Sequence, residues 1–252
     1  MSIHLSNYQA RDFEVVDYEM YQLGDTGLYF RGPEPTSLPK DGYFACIGAA
    51  QTLGCFCEHT YPALLAEALG LPALNLGYGG AGPEFFLQQE SLLPYLNQSR
   101  FVVLQVMSGR SQSNSLYECG GLEYVTLKKD GRKMGAKQAF IETFYDRRVT
   151  AILGNSMLAK QVAMLSARST VVDLVKEIRQ RWLESYLLLI ERLTVPVVLL
   201  WFSKRAPDYD EKLGSVAGVF GAYPQLVNRE MTDTLRRHCN HYVECTTTRG
   251  IP

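Results

Sequence analysis

Four short apolar runs constrain this chain more than anything else in it: Tyr43–Ile47, Ala73–Leu76, Phe101–Met107 and Val197–Phe202. A strand wetted on one face alternates apolar and polar residues, whereas these runs are nearly continuous, with Gln105 as the interruption of the third. Continuous short runs mark strands buried on both faces. Helical spacing fills the gaps between them. Tyr61–Leu69 carries Leu64, Leu65, Ala68 and Leu69, and Gly70 stops it. Pro83–Leu96 reads as a second helix. Val171–Leu193 reads as the longest, with Val171, Leu174, Ile178, Trp182, Leu183, Tyr186 and Ile190 on one broad face. Thr170 followed by Asp173 has the pattern of a capping box at its start. A last helix is expected from about Pro224 to His238, and a fifth, edge strand at Tyr242–Cys245. Strands alternating with helices in this way give βαβ units. The expected fold class is α/β, a three-layer α/β/α sandwich with a central, mostly parallel sheet and Tyr43–Ile47 at or near its centre.

The domain organisation follows from where this regularity fails. Residues 1–40 are polar and aromatic and end in the breaker-rich run Arg31-Gly-Pro-Glu-Pro-Thr-Ser-Leu-Pro39, so they read as an N-terminal extension packed on the core. Residues 41–252 read as a single domain with an insertion at about 116–168. Within the insertion, Asp130-Gly131 between short arms predicts a hairpin, and Ala139–Arg147 and Ser156–Leu165 read as helical.

Bulk charge bears on one class of partner. The 25 Lys and Arg offset 26 Asp and Glu, so a strongly basic footprint is absent and no nucleic-acid partner is expected. No apolar run approaches the roughly 18 residues that span a bilayer, so no membrane insertion is expected. Met1 to Asp17 has no basic segment leading into an apolar one, so a cytoplasmic location is expected. The six cysteines then read as free thiols. Cys55-x-Cys57-x-His59 lacks a second ligand pair, and neither a metal nor a cofactor is expected.

Parallel sheets hold ligands at the carboxyl ends of their strands. Three such ends here are unusual: Gly48-Ala-Ala-Gln-Thr-Leu-Gly54, Gly77-Tyr-Gly-Gly-Ala-Gly82 and Ser108-Gly-Arg-Ser-Gln-Ser-Asn114. Small residues let a backbone approach a ligand closely. The alternative is tight strand-to-helix turns with no ligand.

Ile47-Gly-Ala-Ala-Gln-Thr-Leu-Gly54, Tyr61-Pro-Ala-Leu-Leu65 and Leu74-Asn-Leu-Gly77 with Gly79, Gly80 and Gly82 resemble, in order and spacing, the first two blocks of the SGNH (GDSL-type) hydrolases. Ser108–Asn114 falls where that family has its glycine-and-asparagine block. The resemblance implies an SGNH- or flavodoxin-like sheet. The chain is similar, more closely, to an uncharacterised bacterial domain family of unknown function, through Gln105-Val-Met-Ser-Gly-Arg-Ser-Gln-Ser-Asn-Ser115 and Leu199-Leu-Trp-Phe202. Where the hydrolases carry Gly-Asp-Ser, this chain has Gly48-Ala49-Ala50, so Ala50 stands at the nucleophile position. Where they carry Asp-x-x-His-Pro, it has Phe220-Gly-Ala-Tyr223-Pro224, so Tyr223 stands at the position of the base. A methyl group cannot attack a carbonyl, and a phenol that titrates near pH 10 is a poor base. The resemblance thus implies a degenerate site without the Ser-His-Asp triad. The oxyanion-hole side of the site survives, through backbone N–H near Ala50, Gly77 and Asn114.

The ligand-binding set expected from these loops is Gly48, Ala50, Gln51, Gly77, Ser108, Arg110 and Asn114, with His59 as the candidate for a displaced catalytic base. Arg110 offers a planar fork for an anion; the alternative is that it ties the insertion down through a carboxylate. Three functions compete. The first is a degenerate SGNH-like protein that binds or modifies a polar or anionic small-molecule or glycan ligand. The second is a nucleotide-sulfate-dependent sulfotransferase, which would need a basic residue where Gln51 stands. The third is a noncatalytic interaction protein.

Overall fold

The computed structural model describes residues 14–144, 168–208 and 215–248. Its strands are β1 (Tyr21–Gln22), β2 (Tyr29–Phe30), β3 (Phe44–Gly48), β4 (Ala73–Gly77), β5 (Val102–Gln105), β6 (Tyr117–Glu118), β7 (Tyr124–Leu127), β8 (Lys133–Gly135), β9 (Val197–Ser203) and β10 (His241–Thr246). Its helices are α1 (Ala50–Leu53), α2 (Tyr61–Leu69), α3 (Pro83–Gln88), α4 (Leu93–Asn97), α5 (Ala136–Phe144), α6 (Arg168–Glu191), α7 (Val216–Phe220) and α8 (Arg229–Arg236).

The apolar runs build one five-stranded parallel sheet in the order β10-β9-β5-β3-β4. β5 is the middle strand and β3 its neighbour. Helices flank the sheet because its two faces are both apolar. On one face Ala45, Ile47, Leu74, Leu76, Val102, Leu104, Leu199 and Trp201 join Trp182, Tyr186 and Leu189 of α6, Phe85 and Phe86 of α3, and Met231 and Leu235 of α8. On the other, Phe44, Cys46 and Val103 meet Tyr61, Leu65 and Ala66 of α2. Each crossover to a parallel neighbour is right-handed by preference. The single step towards β4 therefore puts α2 on one side, and the steps the other way put α3, α6 and α8 on the opposite side.

Several expected elements differ in extent. The helix expected over Pro83–Leu96 breaks into α3, a 3-10 turn at Glu90–Leu92, and α4. Pro94 supplies no N–H and its ring clashes with a preceding turn, so it fits only a fresh helix start. The last helix begins later than expected, at Arg229, where the Asn228 side chain accepts the Met231 N–H. The long helix already includes Arg168, so Thr170 lies within it rather than at its cap. The insertion's hairpin is present as β7–β8, extended by β6 into a three-stranded antiparallel sheet, followed by α5. The helix expected over Ser156–Leu165, and residues 145–147 of the preceding one, lie outside the described residues. From the N-terminal segment, Tyr21, Leu23 and Phe30 enter the main core, and Arg31 donates to the carbonyls of Leu53, Gly54 and Glu58. No helix among the described residues is long and apolar enough to cross a membrane.

The edge strand β10 is pinned by a cation. Arg229 of α8 donates to Asp208 at 2.9 Å and to Glu244 of β10 at 2.8 Å. These hydrogen bonds hold both carboxyls below their ordinary values. A depressed pKa contributes stability above the unfolded value and loses it as pH falls through the folded one. The stability gap between wild type and Arg229→Ala is therefore expected at pH 7 and expected to close below about pH 4. Urea denaturation at pH 7 and pH 3 checks it, and a gap unchanged at pH 3 would exclude the carboxylates as its source.

Candidate functional site

The carboxyl ends of β3, β4 and β5 meet around one buried amide. Gln105, the last residue of the middle strand, is fully buried. Its Oε1 accepts the Ala49 N–H at 3.0 Å and the Thr52 hydroxyl at 2.6 Å. Its Nε2 donates to Gln51 Oε1 at 3.1 Å and to the Tyr223 hydroxyl oxygen at 2.8 Å. This orientation is forced. A backbone N–H only donates, so the atom facing Ala49 is the oxygen. Gln51 must then turn its own oxygen inward, which leaves its NH2 directed away from Gln105. Tyr223 accepts with its oxygen, so any bond made by its proton is a donated one.

The network reaches further on both sides. Thr52 also meets the Tyr61 hydroxyl at 3.0 Å. Burial pushes the Tyr61 phenol well above its ordinary value, which keeps it a neutral hydrogen-bonding group. Ser203 at the end of β9 donates to the Tyr223 carbonyl at 2.7 Å. Arg205 donates to the carbonyls of Ala222, Pro224 and Val227 and so fixes the loop that carries Tyr223.

Two glycines are small because this arrangement leaves no room. Gly48 and Gly77 pair in register on β3 and β4. A Cβ at Gly48 would collide with Thr52 Oγ1 and Gln105 Oε1. At Gly77 it would collide with the backbone of Thr52 and Leu53 in α1. Ala50 opens α1, directly beyond β3, and its side chain is a single methyl group. Gly48, Ala50, Gln51 and Gly77 of the expected set are thus gathered with Tyr223 around Gln105. His59 is placed on the exposed loop between α1 and α2. No group of three His, Cys, Asp or Glu among the described residues is placed to hold a metal ion.

The family model for a domain of unknown function, DUF6473, matches residues 6–250, almost the whole chain. The chain belongs to the DUF6473 family. No curated protein matches it.

The remaining expected residues of this DUF6473 domain lie along the loop after β5. Ser108 is buried and donates to Gln225 Oε1 at 2.8 Å, which links this loop to the Tyr223 loop. Ser111 donates to the Gly80 carbonyl at 2.8 Å, and Ser113 to Glu84 at 2.7 Å. Each serine hydroxyl of the cluster therefore has an internal acceptor. Asn114 is fully buried, and its Oδ1 accepts the N–H groups of Leu116 and Tyr117, so its amide shapes the turn into β6. Arg110 lies 3.5 Å from Glu123, a residue of the insertion. Sequence reasoning passed over Gln105, Thr52, Glu84 and Glu123. One signal pointed to the first: a lone glutamine in an otherwise apolar middle strand. Glu84 reads in sequence as a solvated helix residue, yet its carboxylate accepts from Gln112 and Ser113 and anchors the loop.

Proposed function

We propose that this chain binds a small, electron-rich polar ligand at the carboxyl edge of its sheet and does not hydrolyse it, as a degenerate SGNH-like domain. On this reading the helices on either side of the sheet are the outer layers of a three-layer α/β/α sandwich. One observation carries the proposal: Gln105 fixes the polarity of its surroundings. Its orientation turns the Gln51 NH2 away from the network and uses a lone pair of the Tyr223 oxygen, so the Tyr223 proton is not spent on Gln105. Donors without a nucleophile suit a carbonyl, carboxyl or hydroxyl oxygen of a ligand. Ala50 supplies no attacking group, and a tyrosine stands in for the base.

The test has two arms. Purified protein is expected to turn over p-nitrophenyl acetate no faster than buffer, and a fluorophosphonate is expected not to label it. A library of small oxygen-bearing compounds is then screened by thermal shift. For a hit, Gln51→Leu and Tyr223→Phe are each expected to weaken binding about three- to tenfold, the worth of one neutral hydrogen bond. Turnover blocked by fluorophosphonate, or hits indifferent to both substitutions, would overturn the reading.

A further inference from the structure

Three arginines beside the main sheet are well partnered. Arg31 donates to three carbonyls. Arg205 donates to the carbonyls of Ala206, Ala222, Pro224 and Val227. Arg229 holds two carboxylates at 2.8 and 2.9 Å. Arg110 is different. Its side chain is only 26% exposed, and among the described residues its one ion-pair partner is Glu123 Oε2 at 3.5 Å. Its Nε is buried and has no hydrogen-bond partner. No side-chain hydrogen bond of its guanidinium is made among the described residues. Glu123 is in the same position: its side chain is 25% exposed, and its Oε2 is buried and accepts no hydrogen bond.

A guanidinium removed from water without an acceptor is unfavourable, and so is a carboxylate without a donor. A well-made pair of the two would be bidentate, with bonds of about 2.7–2.9 Å. This contact is a single long one. The surroundings show why Glu123 sits there at all. Gly80 has φ +77°, and a Cβ on it would lie 3.1 Å from the Glu123 Cβ, so a glycine in the β4 loop makes the space that Glu123 fills. Ser111 fastens the Arg110 loop to the Gly80 carbonyl, so the loop that carries Arg110 is tied to the glycine loop. This is the edge where a parallel sheet holds its ligands.

We propose that Glu123 is a placeholder, and that Arg110 is the anchor for an oxyanion group of the ligand, a carboxylate, phosphate or sulfate, which displaces the Glu123 carboxylate. The inference rests on the proposed function only in placing a ligand at this edge. A carboxylate already occupies the fork with one oxygen, which shows the class of group the fork accepts. The incoming oxyanion brings two oxygens to a planar donor pair, and the displaced Glu123 side chain, already a quarter exposed, is hydrated by solvent.

The test uses the full chain, with inorganic sulfate, inorganic phosphate and acetate as probes at constant ionic strength, followed by calorimetric titration. Glu123→Gln removes the competing charge and keeps the shape, so it is expected to tighten binding of the preferred probe about tenfold. Arg110→Ala is expected to weaken it more than tenfold, and Arg110→Lys to recover only part of that, because an ammonium lacks the fork. The preference among the three probes identifies the oxyanion. Thermal melts establish that the variants are folded. If Glu123→Gln binds no better than wild type, or Arg110→Ala binds equally well, the pair is a strut that ties down the insertion and the proposal is overturned. Failure of the proposed function would appear separately, as hits indifferent to Gln51→Leu and Tyr223→Phe while the Glu123 effect persists.

Discussion

Gly77→Ala is expected to lower the thermal midpoint by about 6–12 °C, the equivalent of about 3 kcal/mol. The added methyl would lie 2.5 Å from the Thr52 carbonyl carbon and 2.6 Å from Leu53 Cα, and closer still to the Leu53 nitrogen. All three are backbone atoms, so no side chain can rotate out of the way. Either β4 or α1 has to move. Moving α1 would strain the Asn75 side-chain bond to the Thr52 carbonyl, which is 2.9 Å, and the Thr52 bond to Gln105. The damage would thus reach the polar network as well as the packing. Gly135→Ala is the control, because a Cβ there meets nothing within 4 Å. Circular dichroism melts of both variants check the expectation. A Gly77→Ala protein that melts within 2 °C of wild type would show that β4 and α1 are not in such close contact.

Gln105→Leu is expected to cost about 3 kcal/mol, or again roughly 6–12 °C in midpoint. Leucine preserves most of the volume, so packing alone would make the change mild. The loss is electrostatic. The Ala49 N–H and the Thr52 hydroxyl lose their acceptor in a fully buried place, and Gln51 and Tyr223 lose a donor. A buried donor left without a partner costs about 1–3 kcal/mol. Faster hydrogen exchange at the Ala49 amide is expected alongside the lower midpoint. A variant as stable as wild type, with Ala49 still protected, would mean that Gln105 is dispensable and that the polarity of the site is set elsewhere.

These two residues also show how far sequence reading carried. Gly77 was recognisable as a site glycine, but for a different reason. In the sequence it ends an apolar run and opens a glycine-rich loop, which suggests room for a ligand. In the structure the room is taken by the backbone of α1. Gln105 was visible only as an interruption of an apolar run. Its four partners stand in two separate parts of the chain, residues 49–52 and Tyr223, and Tyr223 is 118 residues away. The serines between 108 and 113 looked like the polar face of a pocket. Their hydroxyls instead hold loops together, because a loop crossing the end of a buried sheet has polar groups of its own to satisfy. The alternative weighed for Arg110, a tie to a carboxylate of the insertion, matches its contact with Glu123, while the missing hydrogen bonds of that contact lie beyond any sequence pattern.

The sequence by itself determined the strands of the main sheet and their parallel arrangement. These follow from local facts: which residues are apolar in a row, and where a glycine or proline stops them. The five-stranded sheet and the helices on its two faces carry that reading directly into three dimensions. Only the tertiary structure decided which polar groups meet at the end of the sheet. Gln105 reaches Tyr223, Ser108 reaches Gln225, and Arg110 reaches Glu123. Burial is read from composition along a few residues, since apolar contact is non-directional. A hydrogen bond or an ion pair depends on the distance and angle between two particular atoms. Those are fixed only when crossovers and loops from distant parts of the chain have been packed on one sheet.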